Sequence, residues 1–239
     1  ARTLGAEFYG LITVAVSILG YATWGADMGL VNIGVREMAK EPQFRTFRAK
    51  EIFTTKVLLG SLVLISSTII LSFVSIGSLQ KQVILGYLYA LVPYALLLEW
   101  YYSDRQEFGK IALSKIVNGL VYFGLIFWLI KSSDDVTLVP MLYTIGITSA
   151  VVILGTFSLT HHPFTLPSRG FKTYIELLKN GSLIGLGEFF VKIVQLLPPI
   201  LIGIFFSLRE AGIYGAAFKI ILVAMLLDRI FVNLLLPNL

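Results

Sequence analysis

The sequence predicts an all-α protein, a polytopic bundle of about seven transmembrane helices in 239 residues. Three observations lead there. Hydrophobic residues make up 56% of the chain and charged residues only 14%, against ~45–50% and ~25% in a soluble domain, and the mean hydropathy is +0.84. The apolar residues gather into seven runs, each near the ~20 residues that cross a ~30 Å hydrocarbon core at ~1.5 Å per residue. The Lys and Arg residues stand in short groups between those runs and favour alternate loops, so the net charge of +5 is a topology signal and not a nucleic-acid surface.

In chain order the runs are approximately Tyr9 to Gly34, Ile52 to Ile76, Val83 to Tyr102, Ile111 to Ile130, Val136 to Leu159, Ser182 to Phe206 and Gly212 to Leu236. Lipid offers the backbone no hydrogen bonds, which leaves helices or a closed barrel. Barrel strands would alternate over ~10 residues; these runs do not. Ten basic residues fall on one side, namely Arg36, Lys40, Arg45, Arg48, Lys50, Arg105, Lys110, Arg169, Lys172 and Lys179, and four on the other, Arg2, Lys81, Lys131 and Arg209. The larger set is expected in the cytoplasm. Ala1 to Phe8 then lies outside, so the chain reads as a fragment truncated at both ends, with one more helix expected before Ala1. Residues 160–173 are the only connection with two prolines and a glycine. They are expected to link an N-terminal lobe, 1–159, to the first two helices of a C-terminal lobe, 174–239.

With no cysteine, the chain has neither a disulfide framework nor a thiolate metal or redox site. The two histidines, His161 and His162, are neighbours in the linker and read as solvated. No nucleophile, phosphate-binding glycine loop or supported carboxylate pair is visible, so neither an enzyme nor a cofactor is expected. Ionisable residues inside spans are costly and mark candidate transport paths. Glu188, Lys192 and Gln195 recur at i, i+4 and i+7 and share a helical face with Gly181, Gly185 and Pro199. That stripe is expected to face a hydrated cleft, the alternative being that Glu188 and Lys192 form a structural pair within the helix. Pro198 and Pro199 remove two donors, so a kink or unwound turn is expected there. In the last span Lys219 shares a face with Gly212 and Gly215. Asp27, with Thr13, Gly20, Thr23 and Gly34, reads equally as a cavity residue or as a packing partner. Lys115, Asn118, Gly119 and Tyr122 form a further polar stripe, in which Lys115 is a candidate substrate contact or, at least equally, the partner of Glu99 in a structural ion pair. Lys56 stands near a span end and is expected to snorkel.

Two stretches carry a family resemblance. Arg2, Leu4, Gly5, Tyr9 and Gly10, then Ala26, Asp27, Gly29 and Leu30, then Arg36 and Glu37 resemble the opening pattern of Wzx-type polysaccharide flippases. Ile202, Gly203 and Phe205, followed by Ala211, Gly212, Tyr214, Ala216, Ala217, Lys219 and Ile220, resemble their second signature. The resemblance implies the two-lobe, MATE-like fold of the multidrug/oligosaccharidyl-lipid/polysaccharide exporter superfamily, in the cytoplasmic (inner) membrane. It also implies the activity, moving an undecaprenyl-pyrophosphate-linked oligosaccharide between leaflets, with membrane lipids, a polysaccharide polymerase and chain-length machinery as partners and no nucleic acid. Family members often carry an acidic residue shortly before I-G-x-F; here Pro198 and Pro199 stand in that region, which counts against cation coupling through this helix.

An anionic pyrophosphate and a hydroxyl-rich glycan call for cations and amides, and Lys192, Lys219, Gln195 and Asn118 are suitable types. The alternative within the superfamily is a drug or cation antiporter, which would favour buried carboxylates over buried lysines. From another class, a membrane glycosyltransferase or polymerase would place its motifs in sizeable external loops, and these are very short. A scaffold without transport is the remaining reading.

Overall fold

The computed structural model describes residues 4–40, 45–161 and 171–235, with side chains described over 4–36, 49–158, 178–179 and 181–225. Among these residues there are helices and no strand: α1 Gly5–Asp27, α2 Leu30–Lys40, α3 Arg45–Phe73, α4 Ser78–Leu88, α5 Leu91–Leu96, α6 Glu99–Asp104, α7 Phe108–Leu129, α8 Val139–His161, α9 Phe171–Phe205 and α10 Leu208–Leu235, with a 3-10 turn at Ser133–Leu138. Among the described residues six segments are long and apolar enough to cross a membrane: Gly5–Asp27, Ala49–Phe73, Ser78–Asp104, Phe108–Leu129, Ser133–Ser158 and Gly181–Phe205. The seventh expected span falls on α10, whose described part carries Arg209, Glu210 and Lys219. Most of the expected 160–173 linker lies outside the described residues; its edges, at His161 and Phe171, are helical.

Large apolar side chains stand outward on α3 (Leu62, Ile70, Phe73), α7 (Leu120, Phe123, Trp128) and α9 (Leu183, Val194, Ile204). In water such faces would be a liability; hydrocarbon is as apolar as they are. Association then depends on close packing, and α1 supplies it. Its Leu11, Ala15, Leu19 and Ala22 are buried in the main core with Val83, Tyr87, Leu91 and Val139. Its other side meets α9 and α10 through small residues: a methyl on Gly212 would lie 2.1 Å from the Ala6 carbonyl oxygen, and one on Gly20 would lie 2.5 Å from Leu196 Cδ1. Helices α9 and α10 therefore pack directly on α1.

The third span is broken, which the sequence reading did not anticipate. Helix α4 stops at Leu88, α5 holds Pro93 within its six residues, Leu97 is extended (φ −70, ψ 127), and α6 restarts at Glu99. Pro93 cannot donate and its ring crowds the preceding turn, so a continuous helix is disfavoured here. The backbone of the break is sheltered, with Ala90, Leu91 and Leu98 all buried, as irregular backbone at membrane depth must be. Conversely, α9 runs as one 35-residue helix through Pro198 and Pro199, without the unwound turn expected there. Pro199 is buried, and the neighbouring turns are clasped by α1 at Gly20 and Val14.

The ends of the spans are tied locally. Lys81 donates to the Ser72 carbonyl (3.2 Å) and Lys131 to the Phe127 carbonyl (3.1 Å), placing ammonium groups at the C-termini of α3 and α7, where the helix dipole is negative. Asp135 accepts from the backbone of Lys131 and Ser132 and so caps the 3-10 turn. At the opposite end Tyr102 donates to the Leu154 carbonyl at 2.8 Å, Arg105 stacks over Tyr101 and Lys110 over Tyr102.

Candidate functional site

The expected stripe on α9 divides into two parts. Gly181 and Gly185 line no cleft: they pack against the turn between α1 and α2, where Met28 (φ 43) and Gly29 (φ 80) are left-handed. A methyl on Gly29 would lie 2.5 Å from the Gly181 carbonyl oxygen, and one on Gly185 would lie 2.7 Å from the Met28 carbonyl carbon. Trp24 Nε1 donates to the Gly185 carbonyl at 2.8 Å and its ring lies against Phe189. Only glycine lets the two backbones approach so closely. Glu188, Lys192 and Gln195 flank this contact. Glu188 is half-buried and accepts a 2.5 Å hydrogen bond from Asn32 Nδ2 on α2. Lys192 is half-buried beside α1, where its carbonyl accepts from the Tyr21 hydroxyl at 3.4 Å. Gln195 is exposed.

The remaining candidates go to different places. Lys219 is exposed, with its ammonium 5.0 Å from the Tyr9 ring centre. Tyr9 and Asp27 are near opposite ends of α1, about 27 Å apart at the helical rise, so Lys219 and Lys192 serve different ends of that helix. Asn118 faces α8, where a methyl on Gly146 would lie 2.7 Å from its Oδ1. Lys115 pairs with Glu99 at 3.1 Å while keeping 61% of its side chain exposed, which is the ion-pair reading of the two the sequence offered.

Asp27 lies at the centre of a cluster. Its carboxylate is 3.9 Å from the ammonium of Lys56 on α3, it also interacts electrostatically with Lys192, and the backbone N–H groups of Gly29 and Val31 are positioned to donate to it. Lys56 does not snorkel: only 9% of it is exposed. The reason is its position on α3. Ala49, Ile52 and Lys56 fall at i, i+3 and i+7 on one buried face, and Gly60, one turn on, packs against Ala95 of the broken span. That pattern was visible in the sequence and identifies an inward-facing lysine better than its distance from the span end does. Lys56 in turn interacts with Glu99, which is held by Lys115. Charges of alternating sign thus run Lys192, Asp27, Lys56, Glu99, Lys115 across α9, α1, α3, α6 and α7.

Thr23, Asp27, Lys56 and Tyr94 border a cavity of about 180 Å³. Tyr94 sits on α5, inside the break, and its hydroxyl is 3.0 Å from that of Tyr143 on α8, where Tyr143 also packs against Tyr87 and Tyr122. A larger cavity of about 380 Å³ lies toward the other end of the bundle, among Leu11, Val14, Ile70, Ile84 and Ile204. Apart from Ser67 and Gln80 its walls are apolar and carry no charged side chain. Among the described residues no cluster of three or more His, Asp or Glu side chains could hold a metal ion. What the smaller site can do is bind charge: it presents the Lys56 ammonium, the Thr23 and Tyr94 side chains and the Asp27 carboxylate, within helices suited to a membrane.

The sequence profile of one protein family, described as polysaccharide biosynthesis protein, matches residues 1–237. No curated protein and no solved structure matches the chain.

Proposed function

The chain belongs to the polysaccharide biosynthesis protein family, the family its two signatures resemble, and from that premise we propose that it is the transporter that carries a pyrophosphate-linked oligosaccharide lipid across the inner membrane. That it is a multi-pass membrane protein follows from six apolar helices of spanning length together with the family. The observation that carries the transport reading is the charged cluster Asp27, Lys56 and Lys192, drawn from three separate helices. Charges inside spans cost several kcal/mol unless they are paired or serve a path through the membrane, and here Lys56 and Lys192 both act on the one Asp27 carboxylate, with Glu99 acting on Lys56 as well. Lysines at this depth suit an anionic cargo better than the cation of the antiporter alternative.

In this reading the pyrophosphate meets Lys192, and the glycan meets the polar groups beside it, Gln195 and Glu188. The lipid tail stays in hydrocarbon. An ammonium ~4 Å from a phosphate oxygen contributes up to about 4 kcal/mol at an effective dielectric near 20, less where water screens it. Cells that depend on the complete protein and lose it should accumulate lipid-linked oligosaccharide on the cytoplasmic leaflet, read by leaflet-selective enzymatic release of the glycan. Lys192→Arg should retain more transport than Lys192→Ala. Failure to synthesise the glycan lipid would favour a glycosyltransferase instead, and altered drug sensitivity with an untouched glycan lipid would favour an antiporter.

A further inference from the structure

The larger cavity, of about 380 Å³, lies where α1, α3 and α4 meet α9 and α10, and the transport reading gives it no task. Its wall on α1 runs from Leu11 to Ile18, a depth of about 10 Å at the helical rise. Ile70 of α3 and Ile204 of α9 belong both to the wall and to the outward surface, being 63% and 69% exposed, so the cavity opens toward hydrocarbon. Water has little to hold it there. A buried water needs ~2–4 polar partners, and the Gln80 amide oxygen already accepts from the Gly77 N–H at 3.1 Å, which leaves mainly Ser67. A helix is too thick: at ~10 Å across it would fill about 800 Å³ over the same depth. A slender chain fits. Since a cavity of ~150 Å³ takes a benzene ring, this one has room for roughly fifteen carbons, about one acyl chain and several times less than an undecaprenyl tail.

The rim of the cavity carries both signs of charge. Lys81 follows Gln80 and holds its ammonium 3.2 Å from the carbonyl oxygen of Ser72, which stands between the wall residues Leu71 and Val74. Gln80 and Leu208 lie in the first turns of α4 and α10, so two helix N-termini, the positive ends of their dipoles, stand at the same rim. Arg209 is exposed beside Leu208 and is followed by Glu210. Glu7, also exposed, is one turn before Leu11 on the same face of α1. A purely anionic headgroup would meet these carboxylates unfavourably, whereas one that joins a phosphate to an ammonium matches the rim.

We propose that this cavity is a site for a resident bilayer phospholipid of the phosphatidylethanolamine type, with one acyl chain between the helices, the phosphate beside Lys81 and the amine beside Glu7. The chain fills the space that separates α3 and α4 from α9 and α10 and so splints the two groups of helices at this end. The inference goes beyond the transport reading and stands whatever the cargo is.

The test uses the complete protein in phosphatidylcholine vesicles doped with one of three photoreactive probes, each with a diazirine in its chain: a phosphatidylethanolamine, a phosphatidylglycerol or a polyprenyl phosphate. Labelled residues are mapped by mass spectrometry. The phosphatidylethanolamine probe should label wall residues of α1 and α3, Leu11 to Ile18 and Ile70 to Val74, more strongly than either other probe. Filling the space with Ser67→Trp or Ile84→Trp should abolish that labelling. Lys81→Gln should lower it roughly threefold, with Lys81→Arg close to wild type, and Glu7→Gln should erase the preference over phosphatidylglycerol. If neither filling variant folds, the exposed positions 81 and 7 still decide. An unlabelled wall in wild type, as when a further segment of the chain or a second copy covers it, overturns the site, and so does labelling that survives in a folded filling variant. Equal or stronger labelling by phosphatidylglycerol overturns the headgroup and with it the proposed ligand. Stronger labelling by the polyprenyl probe overturns the resident lipid and makes the cavity part of the cargo path.

Discussion

At the scale of single residues, two glycines have opposite jobs. Gly29 combines a φ of +80° with backbone contact, since a methyl there would lie 2.5 Å from the Gly181 carbonyl oxygen. Gly187, in the middle of α9, has nothing within 4 Å of the position its methyl would take. Gly29→Ala should therefore destabilise by roughly 2 kcal/mol or more, from left-handed strain plus overpacking, whereas Gly187→Ala should stabilise by about 0.5–1 kcal/mol through helix propensity. Thermal unfolding in detergent measures both; shifts in the same direction would mean that the α1–α9 crossing is not as close as described. The Lys115 and Glu99 pair belongs to the same scale. With one partner mostly exposed, Lys115→Ala should cost under about 1 kcal/mol.

At the scale of elements, α9 carries the clearest division of labour. One face is a glycine surface against α1, its flank carries Glu188 and Lys192, and Phe190 stands away from both with 60% of its surface exposed. Single cysteines introduced at 188, 190 and 192 can be probed with a membrane-impermeant thiol reagent without native background, because the chain has no cysteine. Labelling is expected at 188 and 192 but not at 190, which faces the hydrocarbon. Equal protection of all three would mean that the flank is dry, and Lys192 would lose its place on the transport path. The third span matters for the same reason. Its break at Pro93 puts a short helix carrying Tyr94 against Lys56, a position that an unbroken helix would not present in the same way.

At the scale of the whole molecule, orientation is the property on which every depth statement depends. By the ten-to-four basic bias the Arg36 to Lys50 segment is expected in the cytoplasm, and with it the Asp27 end of α1. Reporter fusions to the complete protein check this: a periplasmic reporter at Gln43 should be silent and one at Ser133 active. An active reporter at Gln43 would invert the molecule and place the charged cluster near the outer leaflet, where a cargo loaded from the cytoplasm would not first meet it.

The sequence by itself determined the helical membrane architecture, because lipid permits few backbone solutions and twenty-residue apolar runs report them directly. It also determined the family, through signatures at both ends of the chain, while the pairing of Lys115 with Glu99 was one of two readings until the structure put them 3.1 Å apart. The tertiary structure decided which way polar residues face. Lys56 reads as a snorkelling residue by its depth, yet its neighbours Ala49 and Ile52 turn it inward. Gly181 and Gly185 share a helical face with Lys192, yet they are packing surface, because α1 comes within contact of their backbones. The two prolines of α9 read as a break, yet α9 is continuous through them and the broken span is the third, on either side of the short helix that holds Pro93. Helical periodicity names the residues on a face; only the neighbouring helix decides whether that face meets protein, water or lipid.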